Sequence, residues 1–315
     1  MKNRRLIQLL CVLCFTEILG LVFWNAQFEK EAAVRAVSAE IAKFQNPFNE
    51  INIQAQNVVV IDLDTNTTIY AKHSDKPKPI ASITKLMTTD VALSNIKMDD
   101  VITITQKALD TEGNDGLKLD QKWQAKDLIP FMLVRSSNDA AEAIREHIEQ
   151  SEDNNVQDFI STMNMRGQAL GLPGISFQNP SGLDTTEKTP TALASAKDAV
   201  LLLQDVYAEN PEIIGQTNSP VAKYSSLDGK EYEIKNTNEA IPFLPGLIAS
   251  KTGFTDSAGG NLVILARTTE GRTLGISVLG STIKGRFEDT VLLLQTANEY
   301  FNRLYSNQLE KYYPW

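Results

Sequence analysis

Ile80-Ala-Ser82-Ile-Thr-Lys85-Leu-Met-Thr-Thr89 sets a hydroxyl and an amine three residues apart at the head of an apolar run that continues through Leu93. Pro77 and Pro79 forbid a helix upstream, and the run predicts one downstream, so Ser82 falls at a helix start. Residues three apart on a helix share a face, which brings the Lys85 amine within reach of the Ser82 hydroxyl. A serine hydroxyl is a poor nucleophile at neutral pH, and a base at that distance would make it able to form an acyl-enzyme. The competing reading is an ordinary serine N-cap beside an exposed lysine. Ser281-Thr-Ile-Lys284 carries the same spacing after an apolar strand-like run without a helical continuation, and is read as loop.

Two further motifs decide between these readings. Leu133-Val-Arg-Ser136-Ser137-Asn138-Asp139 contains SxN, and Ser250-Lys251-Thr252-Gly253-Phe254 contains KTG. The order SxxK, SxN, KTG is that of penicillin-binding proteins and class A β-lactamases. Through these motifs and Phe177-Gln-Asn-Pro-Ser-Gly-Leu-Asp184, residues 52–303 resemble a serine D-Ala-D-Ala carboxypeptidase of the low-molecular-mass penicillin-binding proteins. The resemblance implies a β-lactamase/transpeptidase-like fold, peptidoglycan stem peptides as substrate and β-lactams as covalent inhibitors.

It also implies roles. Ser82 attacks the carbonyl of the penultimate D-alanine, and Lys85 is the base. For that, the lysine pKa must fall by about three from about 10.4, a cost of about 4 kcal/mol, which partial burial and the second cation Lys251 would supply. Ser136 relays a proton between Lys85 and the leaving amine, Asn138 holds the substrate amide, and Lys251 and Thr252 bind the terminal carboxylate. Gly253 lets the strand backbone approach the substrate, and the N–H groups of Ser82 and Phe254 form an oxyanion hole. Ser136 and Ser137 also precede a helical stretch and suit a capping role. Two departures stand out: Thr185 to Thr191 replaces a histidine-containing family stretch, and Ala249-Ser250 replaces a glycine-rich lead into KTG.

Hairpins are expected over Val58–Leu63 with Thr67–Tyr70, and over Leu262–Ala266 with Thr273–Leu279, with helices at Asp139–Glu149, Ala194–Tyr207 and Phe287–Tyr305. Strands at both ends and helices between predict an α/β (α+β) body over residues 51–305, in which an antiparallel sheet is built from both ends and a helical cluster is inserted between them. Lys2, Arg4 and Arg5 precede the nineteen-residue apolar stretch Leu6–Trp24, read as a retained signal-anchor or a cleaved signal peptide that exports the body to the cell surface or periplasm. Residues 28–50 read as a helical stalk and 306–315 as a tail, with no room for the second domain that many relatives carry. Cys11 and Cys14 lie within the apolar stretch, so the body is thiol-free.

Other chemistries fit poorly. No ExxLN sequence of a class A β-lactamase lies between Asn138 and Lys251. His73 in a polar turn and His147 on a charged helix face read as solvated, against a Ser-His-Asp hydrolase or a metal centre. Neither metal nor cofactor is implied, and a net charge of −9 gives no sign of nucleic-acid binding. A non-catalytic wall-binding module would not need Ser82 and Lys85 together. Cleavage of a terminal D-alanine and cleavage of a cross-link, as in an endopeptidase, both remain open.

Overall fold

The computed structural model describes residues 27, 29–30, 45–151, 156, 158–185 and 189–312. The apolar stretch, most of the stalk and the end of the tail lie outside them. Among the described residues, no helix is long and apolar enough to cross a membrane. One compact unit runs Phe48–Asn302. In the other, the Arg303 guanidinium donates to the Gln45 carbonyl at 2.8 Å.

In chain order the strands are β1 (Asn57–Asp62), β2 (Thr67–Lys72), β3 (Lys78–Pro79), β4 (Val101–Thr103), β5 (Lys122–Gln124), β6 (Ser176–Phe177), β7 (Ala192–Ala194), β8 (Val221–Ser225), β9 (Glu231–Lys235), β10 (Leu247–Thr255), β11 (Gly259–Arg267) and β12 (Thr273–Ser281). The α-helices are α1 (Lys85–Asn95), α2 (Gln106–Leu109), α3 (Ala125–Arg135), α4 (Asn138–Gln150), α5 (Phe159–Ala169), α6 (Ala196–Glu209), α7 (Pro211–Ile214) and α8 (Gly285–Tyr312). The main sheet has the order β10-β11-β12-β1-β2 with every neighbouring pair antiparallel. Both expected hairpins are present within it. The joint is β1 on β12, where Val60 stands opposite Ile276.

β1 reads Asn-Val-Val-Val-Ile-Asp and is buried throughout, the pattern of a strand covered on both faces. Successive side chains alternate between faces, so Val59 and Ile61 join one core with Val200 and Leu203 of α6 and most of the inserted helices. Gly275 of β12 brings the sheet against α6, because a Cβ there would overlap the Val200 side chain. Val58 and Val60 face the other way, where Leu293, Leu294, Ala297 and Phe301 of α8 are also buried. The sheet is therefore sandwiched between layers, and the helical cluster between β2 and β10 shares the core of the face that carries Val59 and Ile61.

Ser281 ends β12 and donates to Asp289 of α8 at 3.0 Å. The loop reading of Ser281–Lys284 is corrected at its first residue, which belongs to β12, and the expected closing helix starts two residues early at Gly285; Ser281 lies outside it, so this SxxK lacks a shared helical face. The expected capping role divides in two. Ser137 caps α4 by accepting from the Ala140 N–H at 3.2 Å, whereas Ser136 ends α3 with φ 65°.

Candidate active site

β3 ends at Pro79, and the chain turns at Ala81, which adopts φ 49°, into a 3-10 turn over Ala81–Thr84 that runs directly into α1. The turn is braced by Thr84 Oγ1 donating to the Ala81 carbonyl at 2.7 Å and by Gly182, where any Cβ would overlap that carbonyl. A non-glycine residue at positive φ is strained, and these contacts hold it. Ser82 is thereby half-buried at the surface end and Lys85 fully buried one turn below.

Lys85 Nζ has three hydrogen-bond partners: Ser82 Oγ at 2.9 Å, Asn138 Oδ1 at 2.8 Å and the Ser181 carbonyl at 2.8 Å. Two of these accept only. A neutral amine has two N–H bonds and one lone pair, so donating to Asn138 and Ser181 leaves the lone pair for the Ser82 O–H. This set of partners fits both the ammonium, which donates to Ser82, and the free amine, which accepts from it.

Ser136 and Asn138 come from the left-handed break between α3 and α4. Contrary to expectation, Ser136 Oγ accepts from Lys251 Nζ at 2.8 Å instead of contacting Lys85. Asn138 is the residue that reaches Lys85, and its Nδ2 donates to the Glu112 carbonyl at 2.7 Å. Both ends of that amide are engaged within the chain.

Lys251, Thr252, Gly253 and Phe254 lie on the edge strand β10. Lys251 Nζ also donates to the Thr252 carbonyl at 2.9 Å, and Thr252 Oγ1 lies 2.6 Å from Thr237 Oγ1. The structure gives a reason for a glycine at 253 beside the expected one. A Cβ there would overlap the Ile80 carbonyl and sit 3.2 Å from Ser82 N, so the glycine permits β10 to press on the turn carrying Ser82. That contact sets the Ser82 amide beside the Gly253–Phe254 stretch of backbone. Phe254 pairs with Gly260, and its side chain is 43% exposed.

The electrostatics also refine the expectation. Burial, the first cause, pulls the Lys85 pKa down to about 7, against the opposing pull of the Asp115 and Asp139 carboxylates. Lys251 is fully buried too, and its pKa is driven well below the ordinary lysine value by burial, then by Lys85 and Arg286. Of the two expected causes, burial is the one that lowers the Lys85 pKa, and Lys251, expected to stay the charged partner, shares the depression.

Three contributors had no role in the sequence reading. Ser181 supplies a carbonyl, in a loop folded around Asn179 Oδ1, which accepts from the Gly182 N–H at 2.7 Å. The signal was available as Asn-Pro-Ser-Gly, a turn sequence already noted in the resemblance. Glu112 supplies another carbonyl. Arg286, 9% exposed, donates to the Gly253 carbonyl at 2.9 Å, and nothing local marks it. Next to Lys85's partners lies a cavity of about 350 Å³ lined by Glu112, Asn138, Ser181 and Asp184 among others. Among the described residues neither histidine is a partner of Ser82 or Lys85: His73 is exposed, and half-buried His147 has its pKa lowered by burial.

The profile of the D-alanyl-D-alanine carboxypeptidase family, peptidase S11, matches residues 42–282. The D-alanyl-D-alanine carboxypeptidase DacF of Bacillus subtilis is 28% identical over 257 residues, covering 79% of this chain and 63% of its own. A D-alanyl-D-alanine endopeptidase of Haemophilus influenzae is 31% identical over 233 residues, covering 72% and 76%. The chain spans a little under two thirds of the length of such carboxypeptidase relatives. Among solved structures, penicillin-binding protein D2 of Listeria monocytogenes in its ampicillin-bound form superposes with a TM-score of 0.67 at 28% identity, over 78% of this chain and 98% of that one.

Proposed function

Because the chain belongs to the D-alanyl-D-alanine carboxypeptidase family S11, we propose that it is a serine DD-peptidase that removes the terminal D-alanine of peptidoglycan stem peptides and is acylated by β-lactams. The observation that carries the reading is the three-cornered environment of Lys85 Nζ, with Ser82 Oγ at 2.9 Å and two carbonyl oxygens at 2.8 Å. Ser82 Oγ bonds to the penultimate carbonyl carbon while its proton passes to the neutral Lys85 amine. The N–H groups of Ser82 and Phe254 meet the developing oxyanion. The C–N bond then breaks as the departing amine receives the proton that Lys85 took from Ser82, relayed through the Ser136 hydroxyl, which is bonded to Lys251, and Lys85 is left neutral again. Water hydrolyses the acyl-serine in a second cycle with Lys85 again as base.

Lys251, Thr252 and the cationic surroundings at Arg286 attract the terminal carboxylate, and Asn138 lies where the substrate amide would pass. The similarity to an endopeptidase supports a second reading of the same acylation, with a cross-link as the bond cleaved. Digestion of defined muropeptides read by mass spectrometry separates them: loss of one D-alanine marks the carboxypeptidase, and monomers from dimers the endopeptidase. The basic residues before Leu6–Trp24 support export and an N-terminal membrane anchor. Cell fractionation with an antibody to the body should then find it in the membrane fraction, and a shorter soluble form would mean cleavage.

The acylating centre is tested with a fluorescent penicillin. A covalent adduct is expected on the parent and on Ser281→Ala, and none on Ser82→Ala; an adduct that survives Ser82→Ala removes the assignment.

A further inference from the structure

The loop between α2 and β5 has no part in the three motifs, yet residues 110–116 are tied to the SxN break at three points. Asn138 Nδ2 donates to the Glu112 carbonyl at 2.7 Å, Thr111 Oγ1 donates to Asp139 Oδ1 at 3.1 Å, and the Arg135 guanidinium pairs with Asp115 at 2.9 Å. A carbonyl can only accept, so Glu112 fixes which end of the Asn138 amide is the NH2. Oδ1 is then obliged to face Lys85. Were the amide reversed, its NH2 would donate to the Lys85 lone pair, and Lys85 could only donate to Ser82, the wrong direction for removing the hydroxyl proton.

The Glu112 carbonyl is itself aimed by Gly113. That residue has φ +132°, which L side chains rarely adopt, and φ at 113 rotates the peptide plane containing the Glu112 carbonyl. Space is not the reason for the glycine, since a Cβ would meet Asn138 Nδ2 only at an ordinary 3.7 Å.

We infer that Gly113 and the Glu112 carbonyl are positioning residues for nucleophile activation: they hold the Asn138 amide in the one sense that directs the Lys85 lone pair at Ser82. This rests on the reading of Lys85 as base. The charged groups that face Lys85 are Asp115 from the loop, Asp139 from α4 and Lys251 from β10, with Arg135 paired to Asp115 and Arg286 acting on Lys251. Gly113→Ala changes none of them, so a shift in its pH dependence reports on the amide; Thr111→Val also removes a bond from Asp139, and there only the plateau, where Lys85 is neutral, reports on it.

The full chain is compared with Gly113→Ala and Thr111→Val by the second-order rate of acylation by a fluorescent penicillin, across the pH range that titrates Lys85, and by thermal midpoint. Gly113→Ala is expected to stay folded with a thermal midpoint lowered by backbone strain, to lower the plateau rate by about tenfold or more, and to move the ascending limb to lower pH, because an NH2 turned toward Lys85 disfavours the ammonium. Thr111→Val should lower the plateau to a smaller degree at a parent-like thermal midpoint. A parent plateau in both variants overturns the inference, as does a lowered plateau with an unmoved limb in Gly113→Ala, which is mere loss of structure. If Gly113→Ala fails to fold, Thr111→Val decides by its plateau alone. Lys85→Arg is run alongside: parent-like acylation there removes the base assignment and this inference with it, whereas an inactive Lys85→Arg with parent-like loop variants removes the loop inference alone.

Discussion

At Lys85, burial acts on the atom that the proposed acylation uses. Its amine is held near a pKa of about 7 by desolvation, so the neutral fraction needed for acylation exists at neutral pH. We expect the acylation rate to rise with pH along a limb centred near that value, and Lys85→Arg, which cannot lose its proton, to abolish acylation at any accessible pH. The same shift bears on stability. The folded pKa of about 7 lies below the ordinary 10.5, so between those values the unfolded chain binds more protons and stability rises with pH. From pH 7 to pH 9, urea unfolding should show the parent gaining about 2 kcal/mol relative to Lys85→Met. Equal pH dependence in both would mean that Lys85 is solvated. Gly253→Ala should cost about 1–3 kcal/mol by overpacking against the Ile80 carbonyl and should slow acylation by displacing Ser82, measured by unfolding and by adduct formation. The identity of Ser82, Lys85, Asn138 and Lys251 was legible from local patterns. Their pairing was not: Ser136 meets Lys251 and Asn138 meets Lys85 because the left-handed break at Ser136 turns its side chain away from α4, and no short motif encodes that turn.

Among the elements, α1, α5 and α6 are held together by one guanidinium. Arg166 on α5 donates to Asp90 on α1 at 2.7 Å and reaches Asp205 and Glu209 on α6 at 3.0 and 3.3 Å. These three acids form the one acidic trio of metal-binding spacing among the described residues, and the guanidinium bonded to all three occupies the space between them and offsets one of their charges. Asp90 is 1% exposed, and burial raises its pKa while Arg166 opposes the rise. Arg166→Met leaves that carboxylate buried and unpaired, and should cost about 3 kcal/mol at neutral pH by urea unfolding. Freed of Arg166, the folded-state pKa rises further above the unfolded one. The deficit should therefore shrink as pH falls through it, because the protonated acid tolerates burial. A pH-independent deficit would point to lost packing instead. Helices such as α4 and α6 were readable from their periodicity, and α4 also from its cap at Ser137; α6 starts at Ala196 behind a Ser195 cap, not at Ala194 as expected, because Ala194 belongs to β7. The short strands β3, β6 and β7 were not, since two or three residues carry no period and pair only because the surrounding chain brings them together.

In the whole Phe48–Asn302 unit, the sheet depends on β1 and β12, strands more than two hundred residues apart in the chain. Val60→Pro removes ladder bonds at that joint and should cost about 3 kcal/mol or more, abolishing β-lactam acylation although the residue touches no part of the site. Circular dichroism and adduct formation should fail together; retained acylation would mean that the site folds without the joint. Local chemistry settles much of this molecule. The proline stop and apolar run start α1 at Ser82 and Lys85, alternation and turn residues make the hairpins, and three ordered motifs identify the family, because each of these depends on neighbours a few residues away. Other properties exist only once distant segments are packed. Desolvation of Lys85 and Lys251 requires the helical cluster to close over both. The orientation of the Asn138 amide requires the carbonyl of Glu112, and the seat for the Ser82 turn requires Gly253 of the edge strand. Solvent exclusion and hydrogen-bond direction are set by everything that surrounds a group, and for Lys85 those surroundings come from the loop before β5, the start of α4, the Asn179–Gly182 turn and β10.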